Sequence, residues 1–117
     1  MEFPVTYRGK RKVINDWVYG YLHQCSGQYL ISAPNKNTVI EIVSFTLAIH
    51  TGQSDVNGVK IYTGDFIKST VSGAVFEIRF EDGAFTARDE KGILQYKNWK
   101  NAKIVGNIFD NKITEFQ

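Results

Sequence analysis

The sequence predicts an all-β fold, a compact β-barrel or sandwich with an SH3-like barrel in its C-terminal half. Two Trp, six Tyr and eight Phe stand among the 117 residues, and these side chains fit a pleated, half-buried surface. Ten glycines supply tight turns, while there are only two prolines. Period-two alternation recurs along the chain, whereas few segments have the spacing of an amphipathic helix. The length suits a single domain over residues 1–117, with possible β lobes at 1–50 and 61–110.

Nine strands are predicted from these alternating runs. The pairs Asn57-Gly58 and Asp82-Gly83 predict two hairpins with type I′ turns, because both central positions of that turn require a positive φ. Ser26-Gly27 is a further turn signal, and the polar stretch 33–37 can separate two lobes. The predicted strands cover residues 5–8, 17–23, 28–32, 39–50, 65–69, 74–80, 84–89, 93–96 and 103–109.

The SH3-like prediction comes from a Gly64-Asp65 turn that enters a strand and from Gly73, where the next strand can bend at a barrel corner. In the strand that follows Gly73, the face that carries Phe76 and Phe80 is expected to be core. The predicted core residues of the whole chain are Trp17, Phe45, Phe66, Phe76, Ile78 and Ile108.

Composition excludes several classes of protein. No apolar run reaches the roughly 18 residues of a membrane helix, and the first four residues do not resemble a secretory signal. Cys25 is the only cysteine, so an internal disulfide framework and a zinc site of paired thiolates are excluded. The net charge of +2 is too small to require a polyanionic partner. We expect a cytoplasmic protein that needs no cofactor.

A catalytic interpretation starts from His50 and three carboxylates, Asp55, Asp65 and Asp110, since hydrolysis needs a base and often a metal. No known catalytic motif joins them. For Asp65 we favour a side-chain hydrogen bond that organises the Gly64 turn, and for Asp110 an Asx-type turn after the last strand. Asp55 begins a segment similar to a calcium loop, but the other ligand positions of such a loop are missing.

Two aromatic clusters have a binding interpretation beside a structural one. Trp17, Tyr19 and Tyr21 alternate on one strand face, where they either form core or present stacking platforms; core is favoured. The second cluster interleaves aromatics with cations and is the best nucleic-acid surface in the sequence. A solvated loop whose Trp packs back onto the barrel is the alternative, and the loop is favoured. Its residues are Tyr96, Lys97, Trp99, Lys100 and Lys103.

The order of six short segments resembles that of YopX-like proteins. They are 7–10, 17–20, 51–52, 55–58, 61–65 and 106–111, and they span the chain from Tyr7 to Asn111. The motif residues within them include Asp55, Asn57, Gly58, Tyr62, Gly64, Asp65, Gly106, Asn107 and Asp110. The chain departs from the family pattern at 48–50 and at Gln53-Ser54. The resemblance implies a compact β fold, a phage or prophage origin and no established activity.

Two functions follow as hypotheses. The first is a phage or prophage accessory protein that binds a phage or host protein without catalysis, with weak nucleic-acid binding in addition. The second is a small metal-dependent hydrolase that uses the clustered aspartates and His50. The first is preferred because binding needs only a surface, whereas catalysis needs a convergent set of groups.

Overall fold

The computed structural model describes residues 6–33 and 38–117. Val5 of the predicted strand 5–8 and most of the polar stretch 33–37 lie outside these residues. The described chain is mainly antiparallel β-strand with three short 3-10 helices, which confirms the all-β prediction. Within the described ranges, no helix has the length and apolar character needed to cross a membrane. The chain divides into two compact units, Met1–His50 (unit 1) and Thr51–Gln117 (unit 2). The prediction of a single domain stays a prediction.

Unit 1 is built on antiparallel strands in the order β4-β3-β2-β1-β5. Ser26 and Gly27 both have positive φ, 51° and 78°, so a two-residue type I′ turn joins β2 to β3. The last strand, β5, runs across the boundary into unit 2. The elements are β1 Tyr7–Lys10, β2 Trp17–Cys25, β3 Gln28–Ser32, β4 Val39–Glu41, the 3-10 helix η1 Ser44–Thr46 and β5 Ala48–Ser54.

The predicted continuous strand 39–50 is wrong, because the chain turns within it. Val43 N donates to Lys10 O at 2.8 Å, and the Thr46 hydroxyl donates to Val43 O at 2.6 Å while it accepts from Lys10 N at 2.9 Å. These local hydrogen bonds compete with strand pairing and close the η1 turn. Phe45 lies on η1 with 76% of its surface exposed, so its predicted place in the core is also wrong.

Unit 2 contains a five-stranded antiparallel sheet in the order β10-β9-β8-β7-β11. Its closure into an SH3-like barrel stays a prediction. The predicted strand 93–96 ends earlier, since residues from Tyr96 onward form a 3-10 helix. The elements after β5 are β6 Lys60–Tyr62, β7 Asp65–Ser69, β8 Val75–Glu81, β9 Ala84–Asp89, β10 Gly92–Leu94, the 3-10 helix η2 Tyr96–Asn101, β11 Ala102–Asn107 and the 3-10 helix η3 Ile113–Phe116.

The two predicted hairpin turns differ. Asp82 and Gly83 have φ of 54° and 79° between paired Glu81 and Ala84, which confirms a type I′ turn. Gly58 has the expected positive φ of 78°, but Asn57 does not share it. The type I′ prediction is therefore wrong at Asn57-Gly58, where the Asp55 side chain organises a different turn.

The core of unit 2 is a cluster of residues from the sheet and η2. Of the predicted core, Phe66, Phe76 and Ile78 are buried, whereas Trp17 is only half-buried and Ile108 is 42% exposed. Phe80 is 55% exposed although it shares a face with Phe76, because it lies at the end of β8 beside the hairpin turn. The cluster consists of Ile61, Ile67, Phe76, Ile78, Ala87, Trp99 and Ala102.

Substitution of Phe76 tests this core. We expect Phe76→Ala to lower the free energy of unfolding by about 3–5 kcal/mol, as deletion of a large buried aromatic does. Phe80→Ala on the same strand is the matched control, and it should cost only about 0.5–1.5 kcal/mol from its edge-to-face contact with Phe85. Urea unfolding measures both. Equal losses would contradict the assignment of Phe76 to the core.

Candidate functional site

The carboxylate of Asp55, the first candidate catalytic group, is held by three backbone amides. Its Oδ1 accepts from Asn57 N and Val59 N, both at 2.9 Å, and its Oδ2 accepts from Ile104 N at 3.1 Å. The side chain is 6% exposed. These contacts fold the β5–β6 connection and attach it to β11. Both carboxylate oxygens therefore already accept hydrogen bonds that hold the fold together. For this reason Asp55 is unsuited to act as a base or a metal ligand.

The carboxylate of Asp65 also accepts a hydrogen bond from the backbone. It is 1% exposed, and its Oδ2 accepts from Tyr62 N at 2.8 Å across the turn that contains Gly64. That turn is further closed by Gly64 N, which donates to Ile78 O at 2.8 Å. The interpretation of Asp65 as a turn residue agrees with this geometry.

The turn after β11 contains an Asx turn formed by Asn107, and the predicted Asx role of Asp110 stays a prediction. Asn107 Oδ1 accepts from Phe109 N at 2.9 Å and from Asp110 N at 3.1 Å, which is an Asx turn. Asp110 Oδ2 accepts from Asn107 Nδ2 at 3.0 Å. Gly106 is required here, because a Cβ at this position would collide with Asn111 and Phe116.

The described part of the chain contains no group of side chains that could hold a metal ion for hydrolysis. Across residues 6–33 and 38–117, no three side chains of His, Cys, Asp or Glu come together as a group that can hold a metal ion. His50 lies on β5 in unit 1, while Asp55 and Asp65 belong to unit 2 and bind backbone amides.

In the predicted nucleic-acid surface, Trp99 is buried, whereas Tyr96 is 47% exposed and the lysines are exposed as well. Trp99 is 1% exposed, and its Nε1 donates to Leu94 O at 3.2 Å. The Tyr96 ring packs edge-on against Trp99 at 4.6 Å between centroids, and its hydroxyl donates to Thr51 O at 3.2 Å. Trp99 is therefore a core residue and does not offer a face for stacking, which agrees with the favoured interpretation of a Trp that packs back and removes Trp99 from the candidate binding residues.

The lysines of this segment remain on the surface. Lys97 and Lys100 are three residues apart on η2, and positions i and i+3 of a 3-10 helix lie on the same side. Both are exposed, as is Lys103 on β11. Lys103 stands directly opposite the exposed Lys68 of β7. We call Lys68, Lys97, Lys100 and Lys103 the lysine row.

Within the lysine row, the β7–β11 register brings the like charges of Lys68 and Lys103 together. Side chains directly opposite on antiparallel strands have Cβ atoms about 4.5–5.5 Å apart, and like charges there are destabilising. No Asp or Glu occurs between Lys91 and Phe109 in the sequence. Sequence spacing identified three members of the row, but Lys68 was missed because only the β7–β11 register brings it to Lys103.

A second cluster lies on one face of β2 in unit 1. Tyr19 is 48% and Tyr21 37% exposed, so the favoured assignment of these rings to the core is wrong. Trp17 is half-buried under two cations, with Arg8 Cζ 4.4 Å and Lys10 Nζ 5.3 Å from its ring centroid. His23 continues the face toward the hairpin end, where its Nε2 lies 2.8 Å from Ser32 Oγ. We call Tyr19, Tyr21 and His23 the tyrosine face.

Exposed ion pairs perturb two carboxylates outside these clusters. Hydrogen bonds from Arg88, and secondarily from Thr86, lower the pKa of Glu81. A hydrogen bond from Arg11 likewise lowers the pKa of Asp16. A carboxyl whose pKa is lower in the folded state stabilises the fold above its unfolded pKa, and this contribution is lost as the pH falls through the folded value. Both pairs link neighbouring strand segments: Arg11 and Asp16 flank the β1–β2 turn, and Glu81 and Arg88 lie on β8 and β9.

Comparison with known proteins gives one family. The family model described as YopX protein matches residues 6–113, nearly the whole chain. The resemblance inferred from the six short segments is thereby confirmed. No curated protein matches the chain significantly.

The structural role of Asp55 can be tested by substitution. Asp55→Ala leaves the amides of Asn57, Val59 and Ile104 without their acceptor, and hydrogen bonds to a charged group contribute about 1.5–3 kcal/mol each. We expect a loss of about 3 kcal/mol or more in urea unfolding. Asp110→Ala, at an exposed turn carboxylate, is the control and should cost less than about 1 kcal/mol. Losses within about 0.5 kcal/mol of each other would refute the structural role of Asp55.

Proposed function

Because the chain belongs to the YopX protein family, we propose that it is a phage- or prophage-encoded accessory protein that acts in the bacterial cytoplasm by binding a macromolecule, without catalysis. The lysine row carries this proposal. Its members are exposed, and two of them face each other across neighbouring strands. The hydrolase alternative gains no such support, because Asp55 and Asp65 accept hydrogen bonds from backbone amides.

The row is suited to bind an anionic partner. Apart from Lys68, whose Nζ donates to Phe116 O at 3.4 Å, the side chains of its members make no ion pair or hydrogen bond within residues 6–33 and 38–117. The repulsion between Lys68 and Lys103 is relieved when an anion lies between them. A row of separate cations fits a ligand with repeated negative charges better than one isolated anion.

Single-stranded nucleic acid is the ligand class that we propose for this row. Its phosphates repeat along a flexible backbone, so a few exposed lysines can each contact one without matching a fixed groove. Phosphate contacts carry no sequence information, so binding by the row alone is independent of sequence. With about three phosphates neutralised, the affinity is weak, with a dissociation constant in the micromolar range or higher. A phage or host protein is the partner in the case where no nucleic acid binds.

Removing the lysine charges tests the proposal. Fluorescence anisotropy of a labelled single strand should show a slope of log affinity against log salt near −2 for the native protein, from about three contacts at about 0.7 per phosphate. The triple variant should have a slope close to zero and a reduced affinity at low salt. It combines Lys97→Ala, Lys100→Ala and Lys103→Ala. The matched control combines Lys60→Ala, Lys91→Ala and Lys112→Ala, which removes the same charge at other exposed positions of unit 2.

The comparison of the two triple variants decides the outcome. A control triple that keeps the native slope supports the lysine row as the contact surface. Equal slopes in both triples would show that only the net charge matters, and the assignment of the row would fail. No binding of native protein at low salt would direct the search to a protein partner.

A further inference from the structure

We propose that the tyrosine face of unit 1 binds the bases of single-stranded nucleic acid by stacking. The observation behind it is the exposure of Tyr19 and Tyr21, at alternate positions of one strand and on one face of the sheet. Large aromatic side chains on a sheet face normally supply core, and their exposure leaves apolar ring surface in contact with water. A ligand with flat apolar faces covers such rings without a deep pocket.

The spacing of the two rings fits a strand of bases. Residues i and i+2 of a β-strand are about 6.6 Å apart, and their side chains stand on the same face. This is close to twice the rise of about 3.4 Å per nucleotide in a stacked strand. Each tyrosine therefore has room for one base. His23, two positions further on the same strand, extends the row by a third ring.

The charges beside the tyrosine face favour a polyanion. Arg8 pairs with Tyr19 and Lys10 with Trp17 across β1 and β2, so both cations point to the same side of the sheet as the tyrosines. Each is only 6% exposed and packs against Trp17, so both add to the formal positive charge of unit 1 without offering a direct contact to a ligand. Glu41, a carboxylate on this side, pairs with Lys12 at 2.7 Å, which compensates its charge.

The distribution of formal charge between the two units also favours a polyanionic ligand for unit 1. Residues 1–50 carry five Lys or Arg against three Asp or Glu, so unit 1 holds the whole formal charge of +2. Unit 2 has nine of each kind and is formally neutral. The aromatic surface thus belongs to the more basic unit, which is the combination that sequence-tolerant single-strand binding uses.

The inference shares its ligand class with the proposed function but depends on different residues. Stacking on tyrosine requires bases, whereas the lysine row requires only phosphates. A strand of abasic sugar-phosphate units keeps the phosphates and lacks the bases. The ratio of the affinities for an oligothymidylate and for an abasic strand of equal length therefore reports on the tyrosine face alone, and the salt slope reports on the lysines.

The test combines these two strands with matched variants. We expect native protein to bind oligothymidylate about tenfold or more tighter than the abasic strand, the order expected from stacking of one or two bases. Tyr19→Leu with Tyr21→Leu should reduce this ratio to about one without changing the salt slope. Tyr19→Phe with Tyr21→Phe should keep the ratio, because Phe retains the ring face. Phe45→Leu removes an exposed ring elsewhere in unit 1 and should leave the ratio unchanged.

The outcomes separate the two proposals. A leucine variant with the native ratio, or a native protein without base preference, overturns the tyrosine face even where the lysine triple changes the slope. A leucine variant that loses the ratio supports it even where the lysine triple behaves like its control. No binding of either strand overturns both nucleic-acid surfaces, the tyrosine face and the lysine row, and leaves a protein as the partner. Melting curves check that the leucine variant is folded, and Tyr21→Leu alone replaces it where the double variant is not.

Discussion

The buried carboxylate of Asp55 is the contact on which the second unit depends. It closes the connection between β5 and β6 through the amides of Asn57 and Val59, and it holds β11 through the amide of Ile104, 49 positions away. Val56 N adds a second link by donating to Ala102 O at 2.9 Å. β11 is the edge of the five-stranded sheet and follows η2 directly, so the same carboxylate helps to fix the place of the lysine row.

Because the Asp55 carboxylate holds the fold together, a binding function has to depend on other residues. Asp55 and Asp65, two of the acidic residues that suggest catalysis in the sequence, accept hydrogen bonds from backbone amides, and such groups must stay bound to keep the fold. Trp99, the aromatic that suggested base stacking, is instead the largest side chain of the core and is buried together with Ile67 and Ile78. Binding capacity remains with residues that the fold leaves exposed, the lysine row in unit 2 and the tyrosine face in unit 1.

Much of the fold could be predicted from local sequence. The aromatic content gives the β class, alternation gives the buried face of β8, and Asp82-Gly83 specifies its turn because both residues tolerate a positive φ. Other features depend on contacts that local patterns do not contain. Thr46 breaks the run 39–50 by hydrogen bonding to Lys10, 36 positions away. Local sequence spacing likewise does not predict the register between β7 and β11.

The same distinction explains the errors about the candidate sites. Alternation shows that Tyr19 and Tyr21 share a face, but it does not show whether anything covers that face. The most direct test of the whole account is a titration of ¹⁵N-labelled protein with a single-stranded oligonucleotide, followed by amide chemical shifts. We expect shifts concentrated at residues 19–23 and 97–103, with Asp55 and Asp65 unaffected. Shifts concentrated at Asp55 and Asp65, or a spectrum unchanged by the oligonucleotide, would contradict it.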